Sequence, residues 1–534
     1  MKIMICNLKK SSFVFLLFSL FMSFAVTAHA AGPGNATCEI RLLDAITTAV
    51  EKNSNVRIYK SLEKAAAAGE LSAKAQFDPN FKASVNRSSE YTPLSESQKK
   101  SYRSMGSPDF TKLRQSLLSY NVNYERRYRS GTLISPSITV SSSETNTPRN
   151  DQPYSTAKIQ FSLTKPLAQG KNPEVNAVYE KTSRIESEGA SLDKLYAVSQ
   201  VIRGAISSYW NYAYSYKALK IAEGSKKRAE KLYNDTKLLV ENFESPAAEL
   251  DQLVASLNQK DSDCEKASQS LLQSRNELKL AMGLEINSSV VIGPPADFFP
   301  VDYIVKNTFE TELLIKSLVG MAEANRKDYL AAKKRLESFK FLIPAARDAM
   351  KPQLDLQFSA GYSGRKDDKS ASAIISSLVN DVPGANVSAI INYTVPIGQK
   401  SARAEIIKQE EQFNQAKIKT DEIMRTFIIN IQTQANSVAS LNSRYKKMVE
   451  SGRLYEKALQ NEKEKNRMGA STLMDIVNIE DRLGQAELAL EGAVLEYASA
   501  VLNLRFESGC LGNMGTAECE IKMEDIITMP EIKK

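Results

Sequence analysis

The chain has 534 residues with 70 Lys and Arg, 62 Asp and Glu, and one histidine, for a formal charge of +8. Near balance of the two signs describes a mixed, solvated surface, which excludes the clustered basic footprint of a nucleic-acid binder. The one histidine, His29, falls in an N-terminal leader, so the remaining chain has no imidazole for Ser-His or Cys-His catalysis or for metal ligation.

In chain order, Lys2, Lys9 and Lys10 precede an apolar run from Phe13 to Val26, and Ala28-His29-Ala30 follows. A basic start, a short apolar run and an A-x-A site predict a secretory signal peptide over residues 1–30. The run is too short to span a bilayer comfortably, and no cysteine at the cut points to a lipid anchor. Removal of three lysines leaves 67 basic and 62 acidic groups. Four cysteines remain, Cys38, Cys264, Cys510 and Cys519, in a chain bound for an oxidising compartment. Cys510 and Cys519 enclose a short loop and are candidates for a local disulfide, although three pairings of four cysteines exist. No C-x-x-C spacing supports zinc. Beyond residue 30 no apolar run reaches the eighteen residues or so of a membrane helix.

From Arg41 the apolar positions Leu42, Ile46, Ala49, Val50, Val56, Tyr59 and Leu62 predict one helix, closed by Phe77-Asp78-Pro79. Then the period changes. Phe81–Asn86, Tyr120–Tyr124 and Ala157–Leu163 alternate apolar and polar, as half-buried strands do. Polar stretches 91–117 and 141–155 read as linkers, and Ser130-Gly131 as a hairpin turn. A long helix is expected from Pro173 past Tyr209-Trp210 to Asn242, and a second from Ser245-Pro246 to Met282-Gly283. The plan then repeats. A helix over Tyr303–Ala349 leads to alternating Gln353–Phe358, a loop over 366–383 and a strand over Val387–Val395. A proline-free helix from Gln399 to Arg467 follows, then a turn at Gly469, then a helix to Gly509 whose apolar positions recur at three- and four-residue steps.

Spacing supports the repeat: Glu249 to Gly283 is 34 residues, and so is Asp475 to Gly509. The organisation is a first repeat over 31–283 with its β block at 81–165, a linker over 284–301, a second repeat over 302–509 with a strand pair at 353–395, and a tail over 510–534. The fold class is mainly α with a small β portion. Two strands per half do not make a stable sheet alone. A barrel closed by several copies would satisfy every edge, while a small sheet capping a periplasmic coiled coil is the alternative. Hairpins this long must pack their apolar stripes on neighbours, which in a symmetric oligomer closes a helical tube.

The chain resembles the TolC family of outer-membrane channels over about residues 40–510. The resemblance is carried by LLDAITTAVEKNSNV (42–56) with FDPNF (77–81), FSLTKPLAQG (161–170), Tyr209-Trp210, VSAIINYTVPIGQKSARAE (387–405) and RMGASTLMDIVNIEDRL (467–483). It implies a homotrimer in the cell outer membrane, most of it periplasmic. Each protomer would give four strands to a twelve-stranded transmembrane barrel and four helical elements to a trimeric α-barrel. Such a duct serves efflux or type I secretion with a periplasmic adaptor and an inner-membrane pump or ABC transporter. It has no cofactor and no catalysis of its own. The length of the first β block, with its turn at Arg126–Thr132, leaves room for an additional hairpin.

Residue by residue, Gly469 matches the family's turn glycine and Asp475 its gate aspartate. A second gate aspartate is replaced by Asn478, and a turn arginine by Ser471. In a trimer three Asp475 carboxylates would crowd the pore axis, favour cations and raise some of their pKa values. Alternatively Asp475 is an ordinary first-turn acid in a capping box with Thr472. The first tip departs further, with Phe243 where the glycine would fall and Ser245-Pro246 in the turn. Since adaptors dock on the tips, these residues are candidate docking positions. The rival reading is a periplasmic coiled-coil structural or adaptor protein, but two hairpins and a duplicated strand pair favour the channel.

Overall fold

The computed structural model describes residues 39–148, 152–242, 246–285, 292–306, 311–379, 382, 384–511 and 522–530. The leader 1–30, Cys38, Phe243, Ser245 and Cys519 lie outside these residues.

The N-terminal helix is two helices, not one. Helix α1 (Leu42–Lys52) buries Leu42, Ala45, Ile46 and Ala49, and its first N–H, on Leu42, donates to Asp297 Oδ2 at 2.8 Å. Asn53 then turns extended, its side chain accepts from Asn55 N–H at 2.9 Å, and α2 (Ser54–Lys74) restarts. The periodicity runs across the break because an N-capping asparagine reorients the helix while leaving its apolar spacing intact.

Strand β1 (Asn80–Pro93), helix α3 (Glu96–Ser104) and strands β2 (Lys112–Arg127), β3 (Leu133–Thr145) and β4 (Tyr154–Pro166) make the first β block. After α4 (Pro173–Asn176), helices α5 (Val178–Glu241) and α6 (Ala248–Ala281) form an antiparallel hairpin. The second half follows as α7 (Asp302–Lys306), α8 (Thr311–Asn325), α9 (Lys327–Asp348), β5 (Gln353–Lys366), α10 (Ala371–Ser376) and β6 (Ala385–Thr394). Its hairpin is α11 (Lys400–Arg467) and α12 (Leu473–Glu507), with α13 (Glu524–Ile527) behind it. The helix expected over 303–349 is interrupted at Arg326, whose backbone is extended.

All six strands form one antiparallel meander in chain order, β1 to β6. The first half therefore supplies four strands, with the additional hairpin for which the long first β block and its turn at Arg126–Thr132 left room. Two features hid their full extent. Stretch 91–117, read as a linker, continues β1 to Pro93, holds α3 behind a Ser95–Gln98 capping box, and begins β2 at Lys112. Strand β3 contains Pro136, which has no N–H to give the ladder, and its pairing with β2 lapses between Ile134 and Ser137. A proline inside a strand pattern argues against a strand, so the alternation of Ile134, Ile138 and Val140 was masked. Stretch 366–383, read as a loop, contains α10.

Below the sheet the helices stand in a row, α2 packing on α5, α5 on α9 and α9 on α11. The main core joins both halves. Leu42 and Ile46 of α1, Ile202, Ile206, Tyr209 and Trp210 of α5, Leu278 of α6, and Tyr497 and Val501 of α12 share one apolar cluster with Phe299. Tyr209 Oη accepts from Asp297 N–H at 3.0 Å and donates to the Ile40 carbonyl at 2.9 Å, so it pins the chain entering α1 to the linker before α7. Burial pushes the Tyr209 phenol up, well above its ordinary value. No helix among the described residues is long and apolar enough to cross a membrane.

Candidate functional site

Two regions are candidates for function, the sheet surface and the far tip of the hairpins. In an antiparallel ladder directly paired residues share a face. One row runs Ala83–Val122–Ile138–Ile159–Tyr362–Ala385 across all six strands. The next pairs outward on the same face are Phe81–Tyr124 and Val85–Tyr120 on β1–β2, Pro136–Phe161 on β3–β4, and Phe358–Ala389 and Leu356–Ile391 on β5–β6. The opposite face shows Ser84, Asn121, Ser137, Gln160, Gln357 and Ser388 in the alternate positions. The apolar face is open: Phe81 is 72% exposed and Val387 63%. Large apolar side chains held in register on an uncovered sheet face need a non-aqueous neighbour. The connections at the two ends differ as well. Strands β2 and β3 are joined on the helix side by residues 128–132, while the remote end carries the longer 94–111 and 367–384 connections. Short turns on one side and long loops on the other belong to barrels that cross a bilayer from one compartment.

At the far end, α11 and α12 turn around Gly469. Its φ is +69°, left-handed backbone that glycine adopts without strain. Gly469 N–H donates to the Asn466 carbonyl and Ala470 N–H to that of Lys465, each at 2.9 Å. Asn466 Nδ2 donates to the Ser471 carbonyl at 2.9 Å. Ser471 therefore lies inside the turn, and its hydroxyl bonds the Glu462 carboxylate. Glu462 is held below the usual carboxylate range by that hydroxyl first and by Lys465 second.

Helix α12 starts with a reciprocal capping box. Asp475 N–H donates to Thr472 Oγ1 at 3.3 Å, while Asp475 Oδ2 accepts from Thr472 N–H at 3.1 Å and from its hydroxyl at 2.6 Å. These bonds from Thr472 hold the Asp475 carboxyl below its ordinary value. Within one protomer Asp475 is thus the first-turn acid that the capping reading expected. Asp475 and Asn478 are both exposed and sit one turn apart on α12, beside the buried Ile476 and Val477.

Of the first tip, Pro246 is described and exposed just before α6, which starts without a side-chain cap. The two hairpins are held side by side where α12 meets α5 and, through Lys260, α6. Lys217 meets Glu491 at 2.9 Å, Arg228 approaches Glu487 at 3.6 Å, and Lys260 pairs with Asp481. Nearer the tip Leu459, Ile476 and Leu483 form a small apolar cluster with Leu232. Cys264 and Cys510 carry free thiols, and Cys510 Sγ lies 3.9 Å from the Met321 sulfur. Cys519, its expected disulfide partner, is outside the described residues.

Sequence reasoning picked out alternating segments of β1, β2, β4, β5 and β6 but not the apolar positions of β3. The signal was present in Ile134, Ile138 and Val140, and was hidden by Pro136.

Residues 318–509 match the family model for outer membrane efflux proteins. No curated relative matches the chain. Solved structures do. The CmeC outer membrane channel of Campylobacter jejuni is 15% identical, with a TM-score of 0.62 over 88% of this chain and 85% of its own. VceC, an outer membrane protein of Vibrio cholerae, is 15% identical, with a TM-score of 0.61 over 88% of this chain and 96% of its own. The MtrE outer membrane channel of Neisseria gonorrhoeae, in its open state, is 16% identical, with a TM-score of 0.60 over 88% and 89%. Residues 318–509 are therefore similar to outer membrane efflux proteins, and the chain shares the fold of these solved structures along nearly its whole length.

Proposed function

We propose that the chain assembles as a homotrimer in the cell outer membrane. There it works as a passive exit duct for efflux or type I secretion, served by a periplasmic adaptor and an inner-membrane pump or ABC transporter. One observation carries this reading: a sheet apolar on one face and polar on the other, mounted on helices of 64 and 68 residues. At 1.5 Å per residue those helices reach about 100 Å, a length that bridges a periplasm and that no globular core requires. The apolar face meets lipid, the polar face lines the lumen, and the row of helices continues the wall towards the tip.

The tips are the adaptor-docking surface, with Gly469 and Ser471 on the second hairpin and Phe243, Ser245 and Pro246 on the first. Asp475 and Asn478 form the constriction. Three copies of Asp475 around an axis make a cation-selective ring, weakened by the neutral Asn478 and by the capping bonds that occupy Oδ2 of each Asp475. Cargo crosses without covalent chemistry.

Detergent extraction of outer membranes tests the assembly: heat-resistant trimers support it, and a chain fully soluble without detergent refutes it. Planar bilayers test the constriction. Asp475→Ala should change cation block or single-channel conductance, and an unchanged channel would return Asp475 to capping alone.

A further inference from the structure

We infer that each chain gives six strands, not four, to the barrel wall, so that the trimer closes an eighteen-stranded barrel with a wide lumen. This rests on the homotrimer proposed above and concerns how its membrane part is built.

The first support is the register. Strand β3 is paired on both sides, with β2 and with β4, so it has no free edge to offer a neighbouring copy. Among the described residues only β1 and β6 present unpaired ladders. Their full exposure along the whole length is what edges awaiting a partner show. The extra hairpin also carries the same apolar face as the rest. Phe81, Ala83 and Val85 of β1 and Tyr120, Val122 and Tyr124 of β2 continue the surface begun by β3 to β6.

The second support is the stagger. Along the row from Ala83 to Ala385, the distance from the helix-side end of each strand rises in steps and never falls. Ala83 is three residues from the start of β1 at Asn80, Ile159 seven from the end of β4 at Pro166, and Ala385 nine from the end of β6 at Thr394. The row climbs six residues over the five gaps between six strands. With ~3.3 Å per residue and ~4.8 Å between strands, that slope is about 40°, inside the 35–45° tilt of closed barrels. Strands β1 and β2 follow the same slope as the others, as members of one wall must.

The third support is the helix row. Order α2–α5–α9–α11 places α2 on the side of β1 and α11 on the side of β6. Both layers therefore end at the same two seams, and one rotation closes both. Four helices at ~9 Å spacing occupy an arc of about 36 Å. Six tilted strands occupy about 37 Å, and four would occupy only about 25 Å. The six-strand wall meets the helical tube without a step. Around the ring it gives a backbone diameter of about 36 Å, against about 24 Å for twelve strands.

If the ends of β6 and β1 are level at the seam, Ser388 on β6 faces Asn86 on β1 of the next copy, both on the polar face. In a chain whose own cysteines are replaced by serine, Ser388→Cys with Asn86→Cys, or with the flanking Ser84→Cys or Ser88→Cys, should oxidise to covalent dimers and trimers. Ser388→Cys with Thr139→Cys on β3 should stay monomeric on a denaturing gel. Heat-resistant trimers that link through Thr139 and not through β1 would overturn the strand count while leaving the trimer intact. Absence of any heat-resistant trimer before oxidation would overturn the assembly and this inference with it. The unmodified protein gives an independent reading, since end-on electron cryomicroscopy of the trimer in nanodiscs should show eighteen strands, and twelve would refute the inference.

Discussion

Replacing Arg326 tests what fastens the second hairpin to the rest of the chain. Arg326 occupies the extended break between α8 and α9, and its side chain is 7% exposed. Its guanidinium bonds Asp328 at 2.9, 3.1 and 3.2 Å and pairs with Glu507 in the last turn of α12. Glu507 also accepts from Asn430 of α11 at 3.0 Å. The rings of Tyr196, Phe427 and Phe506 surround the cation with centroids 5.5–5.9 Å away. Burial opposes the charge, yet the bonds to Asp328 and Glu507 carry the Arg326 pKa above the ordinary arginine value. Arg326→Met keeps the apolar stem but leaves two mostly buried carboxylates without their cation, which costs about 3–5 kcal/mol. Arg326→Lys keeps the charge and loses the forked geometry, so it should fall between the two. Unfolding of the detergent-solubilised protein, followed by far-UV circular dichroism, should rank native above Lys above Met. A Met variant within about 1 kcal/mol of native would refute the reasoning, because no buried network would then have been broken.

Three further outcomes follow from the packing. Tyr209→Phe removes the hydroxyl that joins Ile40 to Asp297 and should cost about 1–3 kcal/mol, read as a lower thermal midpoint; an unchanged midpoint would mean water replaces the bridge. Gly361→Val should abolish heat-resistant trimers, since a Cβ at that position collides with the Ile159 carbonyl and comes within 2.9 Å of Gln160 Cα at the β4–β5 seam between the halves; normal trimers would show that the seam can part. Thr472→Ala should speed amide hydrogen exchange in the first turn of α12 about fivefold, the equivalent of a ~1 kcal/mol cap, and unaltered exchange would refute the cap. Acidification separates the two roles of Asp475. A depressed carboxyl adds stability above its unfolded value near 3.9, and that stability is lost only as pH falls through the lower folded value. If the Thr472 bonds dominate, conductance should not titrate until pH falls below the ordinary carboxylate range, whereas a titration above that range would show the three carboxylates crowding one another in the ring.

The helical scaffold was legible because it is periodic. The apolar steps of α12, the proline-free length of α11 and the glycine turn at Gly469 each have one structural meaning. The breaks at Asn53 and Arg326 were not legible, because a helix that stops and restarts keeps its apolar spacing while its axis changes. Strands were legible except for β3, for a different reason. The alternation of Phe81–Asn86 and Ala157–Leu163 stands out, but β3 places a proline where the ladder skips a bond, and only the paired neighbours on both sides show that it is a strand. Asp475 was legible by type alone. A first-turn aspartate three residues after a threonine is what a capping box needs and also what an acidic ring needs, and one protomer displays only the first.

The unequal halves follow from a parity constraint. Each half leaves its helices, enters the sheet and must return to the helix side, so its strand count has to be even. An added hairpin is the smallest change that respects this, and the 128–132 turn joins β2 to β3 on the helix side without altering where β4 delivers the chain to α5. The turn is fastened there by Arg129, which grips Glu180 of α5 through two 2.8 Å bonds, while Asn176 of α4 donates to the Arg129 carbonyl at 3.2 Å. A hairpin bound at its helix-side turn, paired with β3 and sharing the apolar face is built as wall and not as plug. The duplicated helices can then keep their matched 34-residue returns while the sheet above them differs between halves. Divergence of this kind changes the width of the exit and leaves the tips, where a partner is met, to change independently.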